Sequence, residues 1–149
     1  MCSFAVKNEV VEFALCLVTL VLAASAEVLL PSCRGAGLPW LLAAVLALAP
    51  RMTLPVALTA ALAAGALEDA LSMLPPLTAT GFFALAALGA RLDYLPRPLL
   101  LAAFPVFTFW TGLCSSAPVG DLFARTLLAV PLGAIAGAAA YLLGGWAVR

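Results

Sequence analysis

Between Val10 and Val148 the chain passes through six apolar stretches, separated by short clusters of proline, glycine and charge. No other feature limits the fold as strongly. Consecutive apolar stretches satisfy their own backbone N–H and C=O groups as helices, and they must bury those helices in one another or in lipid. Hydrophobic residues make up 66% of the chain and charged residues 9%, with a mean hydropathy of +1.19. A soluble domain carries roughly a quarter charged residues. The pattern predicts an all-α fold, a polytopic transmembrane helical bundle. Strand-like alternation is absent, which argues against an outer-membrane barrel. The 149 residues make one transmembrane domain, residues 1–149, with no room for a soluble one.

The first stretch runs from Val10 to Leu30 and the second from Leu38 to Ala49, where PRMTLP stops it. The third begins after Thr53, placed as an N-cap with Pro55 in the first turn, and reaches Leu74. Pro75-Pro76 breaks the chain there, because a proline forces its predecessor out of the helical region. The fourth runs from Leu77 to Leu92 and the fifth from Leu99 to Leu113. Asp121 is placed to cap the sixth, which extends to Val148 and is expected to kink at Pro131. A span of ~30 Å needs about 20 helical residues, so stretches two, four and five fall short. They must extend into flanking residues, re-enter the same face, or be sheltered by neighbours. Six spans is the expectation, with five or four left open.

Positive charge sets the orientation of such a bundle. With six spans, Lys7, Arg51, Arg91, Arg97 and Arg149 share one side, and Arg34 and Arg125 the other. Both termini then face the cytoplasm. Ala24-Ser25-Ala26 imitates a signal-peptidase site, but Glu9 and Glu12 accompany Lys7 ahead of the apolar core. A retained first helix is therefore expected.

Chemistry-bearing residues are few. There is no histidine, so a histidine-based catalytic system is excluded. Cys2, Cys16, Cys33 and Cys114 have no metal-site or redox spacing, although Cys33 and Cys114 fall on the same side and a disulfide between them stays open. No HExxH, GxSxG or Walker A motif occurs, and no basic–aromatic patch suggests nucleic acid. The expectation is a protein that is not an enzyme and has no cofactor, metal or nucleic-acid partner.

The third stretch holds the most informative charges, Glu68 and Asp69. On a helix, Ala57, Ala61, Gly65 and Asp69 form one stripe, and Ala60, Ala64, Glu68 and Ser72 a neighbouring one. These are small-xxx-small rows of the kind that let two helix backbones approach in lipid. Adjacent residues point about 100° apart, so the two carboxylates cannot work as a dyad. A functional reading gives Glu68 or Asp69 a part in ligand binding, proton transfer or partner docking. A structural reading sends one carboxylate to the headgroups and hydrogen-bonds the other inside the bundle. Glu27 is placed either to join Asp69 or to bind Arg34 or Arg125. Gly133 and Gly137 form a GxxxG, serving internal packing or a homo-oligomer or partner seam. The FPVFTFW run at residues 104–110 reads as an interfacial belt or a lipid-facing surface.

The order of features over residues 10–92 resembles the MreD family of bacterial rod-shape-determining membrane proteins. The resemblance is carried by a first helix ending in Leu-Leu-Pro and a short second segment. It continues with a third helix in which Gly65 stands four residues before Asp69, a Pro76-Leu77 turn, and a fourth helix closed by Arg91. In the family a glycine usually follows the proline-leucine step, where this chain has Thr78; Met73-Leu74-Pro75 also lengthens the turn. Residues 93–149 match in hydropathy alone. The resemblance implies a non-catalytic inner-membrane subunit of the cell-elongation machinery for peptidoglycan synthesis. Its partners would be an MreC-like periplasmic scaffold, an MreB-like filament, and a RodA-type synthase with its transpeptidase. Only Gly65 and Asp69 carry over by motif, as structural or partner-contact positions. The alternative is the substrate-binding component of an energy-coupling-factor vitamin transporter, which is similar in size and hydropathy. A vitamin site needs converging polar and aromatic side chains, and these are scarce here.

Overall fold

The computed structural model describes residues 2–29, 40–72, 75–92, 101–115 and 118–147, with backbone alone at 2–9, 12, 15, 140, 141 and 143–147. Every regular element among them is a helix. They are α1 (Cys2–Leu29), α2 (Trp40–Leu48), α3 (Leu54–Ser72), α4 (Thr78–Arg91), α5 (Ala103–Cys114) and α6 (Val119–Ala147), with a 3-10 turn, Ala49–Arg51, after α2. The all-α expectation holds. Among the described residues, two helices, α3 and the Val119–Ala139 part of α6, are long and apolar enough to cross a membrane.

Several boundaries differ from the sequence reading. The helix expected from Val10 starts at Cys2, and the one expected from Leu99 starts at Ala103 after a turn at Leu101 and Ala102. The Thr53 carbonyl accepts the Ala57 N–H at 2.9 Å, which puts Thr53 in the cap position of α3. Asp121 is not at the cap of α6. Leu122 N donates to Pro118 O at 3.0 Å, so the helix begins before Asp121 and carries it inside the first turn. There its charge still complements the positive end of the helix dipole. Helix α6 continues through Pro131. Ala24-Ser25-Ala26 lies within α1, where Ala23 and Glu27 are buried.

The short second helix is the centre of the packing. Leu41 through Leu46, Leu48 and Ala49 are all buried, so α2 has no outward face. A helix apolar all round needs enclosure, by other helices or by lipid. Helix α2 packs against α1, α3, α4 and α6, and of the three fates open to a short stretch, it is sheltered.

Two cavities fix the relative directions of the first three helices. One small cavity joins Cys16 and Leu20 of α1 to Val45 and Leu48 of α2 and to Ala57 and Ala60 of α3. A larger groove joins Val21 to Leu29 of α1 with Leu41 of α2 and Ala63, Ala64 and Leu67 of α3. Hence α1 and α3 run parallel, with α2 antiparallel between them. Arg91 Nε donates to the Met52 carbonyl at 2.8 Å, which ties the end of α4 to the α2–α3 connection. Among α1–α4, Arg51 and Arg91 therefore share one end of the bundle, and Glu27, Glu68 and Asp69 the other.

Most of the buried apolar side chains are alanine, while leucine, valine and phenylalanine dominate the exterior, from Val10, Phe13 and Leu17 on α1 to Phe123, Leu127 and Ile135 on α6. Small interior residues let the helix axes approach closely. Bulk is supplied by a few large side chains, chiefly Leu41, Leu42, Phe83 and Phe104.

The aromatic run in α5 does not form a uniform outer belt. Phe104 and Phe107 are buried while Phe109 and Trp110 are exposed, so helical periodicity splits the run between two faces. Phe107 stands 5.1 Å from Phe82 and 5.3 Å from Phe83, ring centre to ring centre, joining α5 to α4. Phe104 fills the space left by a glycine on α6. A Cβ built on Gly133 would come within 2.9 Å of Phe104 Cδ1 and closer still to Cγ and Cδ2 of that ring. Gly137 has nothing within 4 Å of such a Cβ. The GxxxG is thus divided, with Gly133 serving internal packing and Gly137 left open. Gly133→Ala is expected to cost about 2 kcal/mol by overpacking. Gly137→Ala should be neutral or gain up to about 1 kcal/mol from helix propensity. Denaturant unfolding of the two variants side by side checks this division.

Candidate functional site

Helix α4 begins without a cap of its own. Its N-cap residue is Leu77, which offers no side-chain hydrogen bond and sits at φ 70°, ψ 5°. Thr78 N donates to Pro75 O at 3.2 Å, which closes a turn over Pro75–Thr78 with Pro76 second and Leu77 third. A left-handed third residue after proline marks a type II turn, where glycine is the favoured occupant. A leucine there costs roughly 1–2 kcal/mol of backbone strain. Because Leu77 is 75% exposed, little packing offsets that cost. Leu77→Gly is expected to raise stability by about 1 kcal/mol, measured as a higher unfolding midpoint.

The missing cap arrives from the previous helix. Asp69 Oδ1 accepts the Ala79 N–H at 2.7 Å, and Oδ2 accepts the Thr80 N–H at 3.2 Å and the Thr80 hydroxyl at 2.7 Å. These amides belong to the first turn of α4, which has no partner within its own helix. An ionised carboxylate only accepts hydrogen bonds, and here it meets three donors at the positive end of a helix. Asp69 is held by the seam between α3 and α4.

Gly65 makes that contact possible. It is buried one turn below Asp69 on the same stripe, facing the start of α4. A Cβ on Gly65 would lie 2.8 Å from Thr80 N, 3.0 Å from Ala79 C, and nearer still to Thr80 Cα. Backbone cannot move aside as a flexible side chain would. Gly65 and Asp69 therefore act together: the glycine lets the α4 backbone approach, and the aspartate caps the amides so delivered.

Glu68 is turned the other way and is 7% exposed. Ser72 Oγ donates to its Oε1 at 2.5 Å, while the buried Oε2 has no hydrogen-bond partner. Of the two, Glu68 is the more deeply enclosed and Asp69 the one bonded across the helix seam. Glu68 is buried and Asp69 half-buried, because the alanine-rich rows that carry them are the packed faces of α3. Glu68→Met removes the unsatisfied oxygen, and Ser72 retains a helix carbonyl to bond. That variant is expected to lose no more than about 1 kcal/mol of stability. A larger loss in thermal unfolding would mean that Oε2 has a partner in the folded protein.

Glu27 repeats the capping arrangement on a smaller scale. At 5% exposure, its Oε1 accepts the Leu41 N–H at 3.2 Å in the first turn of α2. The Leu41 amide is not among the partners expected for Glu27, namely Asp69, Arg34 and Arg125. Arg125 is exposed on α6, and Arg34 lies outside the described residues. Cys33 lies outside them too. Cys114 is exposed rather than buried, and its thiol is free.

Together, among the described residues, these elements define a helical protein with an alanine-rich interior, in which two carboxylates, Glu27 and Asp69, cap neighbouring helices. Among the described residues no cluster of His, Cys, Asp and Glu is suited to holding a metal ion. No family model, curated protein or solved structure matches the chain.

Proposed function

We propose that the chain is an MreD-like, non-catalytic integral subunit of the bacterial cell-elongation machinery, lying in the cytoplasmic membrane. In this reading the six helices are a polytopic bundle that serves as scaffold for an MreC-like periplasmic protein, an MreB-like filament, and a RodA-type synthase with its transpeptidase. Membrane placement is supported by the inverted distribution of side chains. Large apolar residues cover the exterior, whereas Glu27 and Glu68 are buried. Apolar exteriors of this extent mark contact with lipid or partner proteins. With Arg51 and Arg91 at one end of α1–α4 and the three carboxylates at the other, the basic end is taken to face the cytoplasm, and a six-span count would put both termini there.

The observation that carries the resemblance is the Gly65–Asp69 seam. The glycine–aspartate spacing that suggested the family has a physical purpose here, fixing the α3–α4 hairpin. Affinity purification from a mild detergent extract tests the assignment. Recovery of the MreC-like scaffold and the RodA-type synthase is the expected result.

A second reading, the substrate-binding component of a vitamin transporter, draws on the groove between α1 and α3. Its volume of about 590 Å3 falls in the range of small-molecule sites. Apart from Ser25 its lining is apolar, without the converging polar groups that would orient a vitamin, so the scaffold reading is preferred. Co-purification of coupling ATPases would reverse that preference.

A further inference from the structure

We draw no further inference here: the strongest candidate, the open apolar groove between α1 and α3 floored by Leu41, Ala63 and Ala64, is an unpartnered apolar face, and nothing in the structure shows what covers it.

Discussion

Replacing Gly65 with alanine is expected to destabilise the protein by about 3 kcal/mol, a large loss for a single methyl group. The added Cβ would meet Thr80 Cα, Thr80 N and Ala79 C, all of them backbone atoms in the first turn of α4. Relief requires α3 and α4 to separate, and separation lengthens the bonds that Asp69 makes to the same two residues. The loss therefore combines overpacking with a weakened cap. Gly81 is the internal control, because a Cβ there meets nothing within 4 Å. Gly81→Ala should be neutral or stabilising by up to about 1 kcal/mol through helix propensity. Denaturant unfolding of both variants measures the contrast. Equal effects would mean that the close approach of α3 and α4 is not formed.

Asp69→Leu is expected to cost a similar amount, about 3 kcal/mol, since it removes a charged acceptor and leaves two helix-start amides unmet. Asp69→Asn should cost less, about 1 kcal/mol, because its carbonyl oxygen still accepts one N–H. The asparagine amide group cannot replace the second carboxylate oxygen as an acceptor for the Thr80 N–H, and the favourable charge at the helix N-terminus is lost as well. Amide hydrogen exchange resolves the mechanism. Ala79 and Thr80 should lose protection in both variants, more in the leucine one, while the amides of α6 stay as they are. Loss spread evenly over all helices would point to general unfolding and not to a lost cap.

Much of this seam is legible in the sequence because it lies along one helix. The i, i+4 stripe from Ala57 through Gly65 to Asp69 needs only the helical repeat, and Thr53 with Pro55 marks where that repeat starts. The partners of Asp69 are not legible in the same way. They are backbone amides ten and eleven residues further on, and an amide has no residue-type signature. The hydroxyl of Thr80, third in its helix, is the one side chain that hints at them. Glu27 is hidden for the same reason, since it bonds the Leu41 amide across a connection. Nor does the sequence mark Leu77 as left-handed, because no glycine or asparagine stands there to announce it. The central place of α2 has a clear signal. A stretch from Leu41 to Ala49 with no polar face needs enclosure, and it is too short to cross a bilayer alone, which favours enclosure by other helices. The aromatic run in α5 misleads when read as a composition, and the helical repeat applied to it separates Phe104 and Phe107 from Trp110.

Glu68 marks the limit of what packing explains. Its Oε1 is bonded to Ser72, and its Oε2 is buried without a partner. A carboxylate of this kind is costly to keep inside an alanine-rich interior. Comparing the stability of Glu68→Met with its activity in the cell separates structure from function at this position. A stable variant that fails to support growth would assign Glu68 a task beyond the fold.

The proposed role, a scaffold subunit of the cell-elongation machinery, is a claim about cell shape. Cell shape after depletion of the protein, followed by phase-contrast microscopy, tests that claim most directly. The expected result is that depleted cells lose their rod form and round up before growth stops, with restoration by the wild-type chain and not by Gly65→Ala. Depleted cells that keep their rod form while losing uptake of a vitamin would contradict it.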